Sequence, residues 1–305
     1  MKSKNNGFTL VEMLTTVTII AILIALLVPS LSLVRRISKE TAQKSQFATI
    51  DMAIGAFKND YGDYPPSSWQ GTPPLSDYSG AQMLSEALVG WDLMGFHPNS
   101  AWRSHGRDAA GTVGTVYDMT GFTEPQKQYN LEQRKGPYLE LATTGVFKLE
   151  DLFDAGQAAP LAGQTFVICD VFKAKKVTLT PAAGKTTTAM AGTPILYYKA
   201  NTSSKTIDQL VESRIDFRIY NSYDNYYLAG FGRMTVPPAQ RVWPGNQHPL
   251  GSDLEHLYKF DYEGGIRDPK IPSAMRPWPY RPDSYILISA GMDGLYGTSD
   301  DIRNF

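Results

Sequence analysis

Two short stretches hold the residue types that could do chemistry. The first is Gly7-Phe8-Thr9-Leu10-Val11-Glu12, where a carboxylate sits near the start of an apolar run from Phe8 to Val34. A carboxylate inside a bilayer costs about 2.5–3.5 kcal/mol even on the lenient insertion scale, so Glu12 demands a partner cation. The second stretch begins near Ala290, where Asp293, Asp300 and Asp301 fall within nine residues, interleaved with glycines and Thr298. Calcium takes about 6–8 oxygens from carboxylates, carbonyls and water, and a glycine-rich loop can turn such groups around one ion. The same residues also describe an acidic, solvated turn whose aspartates cap local backbone. Loop composition alone favours the turn.

The elements that must position these residues follow from length and period. Phe8 to Val34 gives roughly 40 Å of helix, enough to cross a hydrocarbon core of about 30 Å. A basic leader with Lys2 and Lys4 followed by an apolar core also fits a secretory signal. The run is too long for that, it contains Glu12, and Val28-Pro29-Ser30-Leu31 is a poor cleavage site. A plain signal anchor explains the length but not Glu12. Thr15, Thr16 and Thr18 can bond back to the helix. Pro29 removes a backbone donor and should kink the helix near Ala25. Basic residues flank both ends, with Arg35, Arg36 and Lys39 on the far side, so charge does not set the orientation. Beyond the span, Phe47, Ile50, Ile54, Phe57 and Tyr61 repeat at intervals of 3, 4, 3 and 4, one apolar stripe on an amphipathic helix. Gly62 should end it, and Pro65-Pro66 forbids its return.

At these residues the chain resembles the type IV pilin superfamily, which includes the pseudopilins of type II secretion. The resemblance covers about the first 55 residues. It implies cleavage by a prepilin peptidase after Gly7, N-methylation of the new terminal residue Phe8, an assembly role for Glu12 as the fifth mature residue, and a helix-kinking role for Pro29. It also implies a cytoplasmic leader and a C-terminal domain outside the inner membrane. Asn59-Asp60-Tyr61-Gly62-Asp63-Tyr64-Pro65-Pro66 is similar to the helix exit of major pseudopilins. The acidic end is similar to the calcium loop that closes those proteins, which implies Asp293 and Asp300 as ligands, Asp301 and Thr298 as weaker ones, and carbonyls near Ala290. Calcium would be structural, tying down a segment that no disulfide can fix, since Cys169 is the only cysteine.

The rest of the chain bounds the function. Its 305 residues suit a membrane helix plus one sizeable domain or two small ones. A net charge of −1 gives no basic excess for nucleic acid. The four histidines show no metal-ligand spacing and read as surface residues. Cys169 reads as buried and inert. Trp243, Trp278 and the tyrosines read as packing for a loop-rich region. No nucleophile elbow, Walker loop or dinucleotide fingerprint appears, so no enzymatic activity is expected. Ser79 to Met94 predicts a helix stopped by Gly95, with Leu84, Leu88 and Trp91 on one face. Phe96 to Lys135 reads as an irregular insertion, and Leu149 to Phe153 as a short helix. Strands are predicted at 165–172, 176–180, 195–199, 217–220 and 284–289, loops at 181–192 and 234–282, and a turn at 221–225.

The expected class is α+β: a long N-terminal helix packed on a small antiparallel sheet with loop-rich insertions. The divisions are leader 1–7, membrane or filament-core helix 8–34, amphipathic helix 35–62, and a periplasmic or extracellular domain 63–305 ending in the acidic loop 290–305. Such a subunit would polymerise with itself and meet the prepilin peptidase, an inner-membrane assembly platform and minor pseudopilins or pilins. A type II secretion pseudopilus is the first expectation. An adhesive or motility type IV pilus comes second, and a membrane-anchored binding domain third.

Overall fold

The computed structural model describes residues 9–67, 77–106, 116–117, 119, 121–141, 144–153, 160–179, 186–203, 219–234, 258–259, 266–267, 275–276 and 278–305. The chain divides into two compact units, Met1–Ala42 and Gln43–Phe305. One helix, α1 (Leu10–Tyr61, 52 residues), contributes to both.

In the first unit α1 is apolar and exposed all round, from Leu10 through Leu26 and Val34 to Ile37. It is long and apolar enough to cross a membrane. Its hydroxyls bond back to the helix as expected: Thr15 and Thr16 donate to the Glu12 carbonyl at 3.0 Å each, and Thr18 to Leu14 at 2.8 Å. Ser30 and Ser32 do the same to Leu27 and Pro29. These bonds leave no hydroxyl of this stretch unsatisfied, the condition hydrocarbon imposes. Pro29 lies inside α1 without ending it.

In the second unit α1 buries Gln43, Phe47, Ile50, Ala53, Ile54 and Phe57. The predicted stripe is therefore the packed face. Phe57 lies 5.2 Å from Phe96 and 6.0 Å from Tyr138, ring centre to ring centre, both edge-on. The helix ends where the sequence places the stop: Gly62 has φ +85°, and its N–H closes on the Lys58 carbonyl at 2.7 Å. The exit is then pinned by charge. Asp60 accepts from Tyr138 at 2.7 Å and Lys135 at 3.1 Å, and Asp63 from Lys199 at 2.5 Å.

The stripe packs with a three-stranded antiparallel sheet. Its centre is β10 (Tyr285–Ser289), buried along its whole length, flanked by β5 (Leu196–Lys199) and β11 (Ile302–Arg303). Tyr285 faces Lys199 and Ile288 faces both Leu196 and Arg303. Smaller antiparallel pairs join β1 (Val146–Lys148) to β2 (Phe166–Ile168), and β3 (Lys175–Leu179) to β4 (Thr187–Ala191). Two more join β6 (Tyr258–Lys259) to β9 (Trp278–Pro279), and β7 (Ile266–Arg267) to β8 (Met275–Arg276). The α+β class is as expected.

Several elements differ from expectation. The helix predicted to reach Met94 is α2 (Gly80–Val89), capped by a reciprocal Ser79–Gln82 box. It stops at Gly90 because that residue takes φ +89° against Gly95, where a Cβ would lie 2.4 Å from the Gly95 carbonyl oxygen. Trp91 thus leaves the helix. The region read as irregular contains α3 (Glu124–Glu132), a polar helix that offers no apolar period. The loop at 181–192 contains β4, because Thr187–Ala191 supplies the partner for β3. The turn at 221–225 is a 3₁₀ turn that runs into α5 (Tyr226–Gly230), and α4 (Leu149–Leu152) falls where expected. His97 is buried rather than on the surface, its Nδ1 accepting from the Asn99 amide at 3.1 Å. His248, His256, Trp243 and residues 217–218 lie outside the described residues.

One buried acid supports a pH prediction. Glu86 on α2 is 2% exposed and accepts from the Tyr78 hydroxyl at 2.6 Å and from the Ser100 hydroxyl. Burial pushes its carboxyl above the usual range despite those hydroxyls. A carboxyl raised on folding contributes stability below its unfolded pKa and loses it as pH rises through the folded value. Glu86→Gln keeps the shape without the charge, so at pH 7 its melting temperature is expected to exceed wild type by about 2–4 °C. The gain should vanish near pH 4, which thermal melts at the two pH values will show.

Candidate functional site

The N-terminal site is built by the first turn of α1. Glu12 stands three residues after Thr9, and the two form a capping box. The Thr9 amide donates to Glu12 Oε2 at 2.9 Å, the Thr9 hydroxyl donates to the same oxygen at 2.7 Å, and the Glu12 amide returns a bond to Thr9 Oγ1 at 3.2 Å. One carboxylate oxygen is thus held at the positive end of the helix, one residue from Phe8. Thr-x-x-Glu before an apolar run is the sequence signature of this cap, a role for Glu12 beyond its charge. Gly7 and Phe8 lie outside the described residues.

The acidic loop joins β10 to β11. Its aspartates turn onto the loop itself. Asp293 Oδ1 accepts the Leu295 amide at 2.8 Å, and Asp300 Oδ2 accepts the Asp293 amide at 2.9 Å. Thr298 Oγ1 donates to Asp300 Oδ1 at 2.5 Å, and the Gly297 amide donates to Asp301 Oδ2 at 2.8 Å. Ala290 is fully buried at the end of β10. Gly291 has φ +65°, and a Cβ there would lie 2.2 Å from the Asp300 carbonyl oxygen, so only glycine fits that closure.

Electrostatics separate the two neighbouring acids. Burial opposes ionisation of Asp300, yet the Thr298 hydroxyl and the Asp293 amide hold its carboxyl below the usual range. Asp301 has a side chain only 1% exposed, with Arg303 no nearer than 3.8 Å. Burial pushes its carboxyl up to about 7, against the pull of the Gly297 amide. Its Oδ1 is buried and has no hydrogen-bond partner. A buried acceptor without a donor is the observation here that fits a cation. Among the described residues no group of three or more His, Cys, Asp or Glu converges to hold a metal, so an ion at Asp301 would draw on carbonyls and water for most of its shell.

Cys169 is buried just after β2, and burial raises its thiol, in keeping with an inert residue. The loop's support was missed in the sequence. Asp170 is buried, accepts the Thr193 amide at 3.0 Å and the Ser289 hydroxyl at 2.9 Å, and so ties β10 to the segment before β5.

Comparison with known proteins addresses the N-terminal site. Residues 2–28 match the family described as the prokaryotic N-terminal methylation motif. The match spans the leader, the Gly7–Phe8 junction, Glu12 and most of the apolar run. It supports the type IV pilin superfamily and, with it, prepilin processing and a subunit that self-assembles into a pilin-like filament. No curated protein and no solved structure matches the chain. The apolar helix and the motif together fit a subunit anchored in the inner membrane or packed in a filament.

Proposed function

We propose that this chain is a major-pseudopilin-like subunit of a type II secretion pseudopilus, inserted in the inner membrane with its folded domain in the periplasm. The observation that carries the reading is the position of Glu12, a carboxylate at the head of a 52-residue helix whose first half is apolar on every side. Cleavage after Gly7 would free the amine of Phe8. A neighbour's Glu12 pairs with that amine, so assembly removes two poorly matched charges from lipid and sets the stagger between subunits. Low dielectric strengthens the attraction, and desolvation offsets much of it. The capping box defines the state before assembly: Glu12 rests on Thr9, and the incoming amine competes for the same carboxylate. The prepilin peptidase, an assembly platform and minor subunits are the partners this scheme requires.

The pseudopilus is favoured over an adhesive or motility pilus by the helix exit, the acidic loop and the lack of a disulfide. The length beyond the family core, roughly 67–158 and 201–282, favours the surface pilus as the second reading. The intact mass and N-terminal residue of the native protein, measured in sheared surface material and in membranes, test both. A chain starting at methylated Phe8 only in membranes supports the pseudopilus, and the same chain in sheared material supports the surface pilus. A chain starting at Met1 in both overturns the filament reading.

Calcium belongs to this proposal as a structural ion at the acidic loop, with Asp301 as its side-chain ligand and carbonyls, that of Ala290 among them, and water completing the shell; Asp293, Asp300 and Thr298 are engaged in the loop's own hydrogen bonds and would join only by giving those up. It would supply the positive charge that Asp301 Oδ1 lacks. At calcium near 100 times its dissociation constant, the melting temperature should rise by about 5–10 °C. Asp301→Asn should remove that rise, and a calcium-independent melt of the wild type would dismiss the ion.

A further inference from the structure

The acidic loop is fastened to α1 at one carboxylate oxygen. Asp51 Oδ1 accepts the Tyr285 hydroxyl at 2.7 Å and the Asn304 side-chain amide at 3.4 Å. Tyr285 begins β10 before the loop, and Asn304 follows β11 after it. Asn304 is itself registered on β10: Leu287 N donates to its Oδ1 at 2.9 Å, and its own N–H donates to the Leu287 carbonyl at 3.3 Å. Asp51 lies beside Ile50 on the helix face that packs on the sheet, so residues on both sides of the loop hydrogen-bond to one side chain of α1, beside the apolar contacts that Tyr285, Leu287 and Ile302 make in the same cluster.

β11 is only two residues long. Its short pairing with β10, Ile288 with Arg303 and Ser289 with Ile302, is bracketed by the loop closure before it, through Gly291 against the Asp300 carbonyl and the Asp293 amide on Asp300, and by Asn304 after it. If the loop opens, β11 loses its leading anchor and Asn304 leaves Leu287 and Asp51 together, while Tyr285 stays. We infer that Asp51 couples closure of the acidic loop to the local stability of α1 between residues 47 and 57. Ile302 shares an apolar cluster with Phe47, Ile50 and Ile54, so packing carries part of the same coupling. That part is non-directional, whereas the Asn304 bond is either made or broken. The coupling acts whether an ion or the loop's own bonds keep it closed. Its use to a filament subunit, holding back a chain whose loop is open, rests on the proposed function, but the coupling does not.

The test is a double-mutant cycle read by hydrogen exchange on the full chain in detergent micelles. Gly291→Ala opens the loop by placing a Cβ against the Asp300 carbonyl. In the Asp51 background it should speed exchange of amides 47–57 about tenfold. In Asp51→Ala, which retains Ile302, the same loop variant should speed them at most threefold. Linkage requires the reciprocal effect, so Asp51→Ala alone should speed exchange at 302–304. Independent sites add, so equal acceleration in both backgrounds overturns the inference. So does an opened loop, seen as faster exchange at 297–301, with amides 47–57 unchanged. Should Gly291→Ala fail to fold, Asp300→Ala removes the acceptors for the Asp293 amide and Thr298 and serves the same cycle.

Discussion

Glu12→Gln is expected to cut filament yield at least tenfold while leaving membrane insertion and the first turn of α1 intact. The choice of glutamine follows from the capping box. Glutamine at the third helical position makes the same reciprocal bonds with Thr9, so the cap survives and only the charge is lost. Alanine removes both and cannot separate the roles. In a membrane or filament core, removing one member of a buried ion pair costs about 3–5 kcal/mol, because the remaining ammonium has no counter-charge. Each 1.4 kcal/mol is tenfold in an association constant, so even a partly hydrated pair gives the stated loss. Quantitative blotting of sheared or detergent-extracted filaments against total membrane protein reads the outcome. Wild-type yield from Glu12→Gln would show that Glu12 acts through the helix cap alone. Thr9→Val supplies the converse: it removes the hydroxyl that donates to the carboxylate and keeps the backbone amide that does the same, which leaves the carboxylate more available to a partner amine, and it should weaken assembly far less than Glu12→Gln.

Phe57→Ala should destabilise the folded head by about 3–5 kcal/mol, which lowers its melting temperature by roughly 6–20 °C. Phe57 is 3% exposed and sits among Tyr61, Phe96, Trp102 and Tyr138. Truncation leaves a hole that the surrounding rings, one on α1 itself and three from later segments, cannot collapse to fill. The effect should be cooperative, since these rings join α1 to the Phe96–Lys135 bridge that closes the segment containing α3. Thermal unfolding followed by near-ultraviolet circular dichroism will report it, because the signal comes from these aromatics. A shift under 3 °C would mean that this half of α1 is not part of the head's core.

What could be read from the sequence follows from where period and composition carry information. The stripe Phe47 to Tyr61 was legible because a helix that packs on one side must repeat every three to four residues. Gly62 was legible because only glycine tolerates the conformation that ends such a helix. Gln43 escaped the pattern although it is fully buried, since its amide satisfies the Val171 N–H at 3.0 Å rather than an apolar neighbour. Helix α3 escaped because its residues are polar on all sides, yet Thr123, Pro125 and Gln126 carry a capping box and a first-turn proline. Strand β4 was hidden among small residues and threonines, where pairing with β3 rather than propensity decides. At the two sites the residue types were legible and most of their contacts were not. Thr-x-x-Glu before an apolar run does signal that Thr9 holds Glu12, but nothing in the order of residues tells that Asp300 is satisfied by its own loop, or that Asp301 is the acid left with a bare oxygen.

The order of strands in the central sheet bears on how the subunit is made. Strand β10 pairs with β5 across more than eighty residues of intervening chain, and β11 follows later still. A ribosome emits about 5–20 residues per second, and non-local pairs close only after both partners have emerged. The apolar half of α1 is thus available to the membrane many seconds before residues 285–303 exist to complete the sheet. During that interval the stripe from Phe47 to Phe57 cannot complete its packing, because Tyr285, Leu287 and Ile302 belong to the same apolar cluster. Anchoring precedes folding, and the nascent head must be kept from aggregating while its N-terminal helix is already committed to the bilayer.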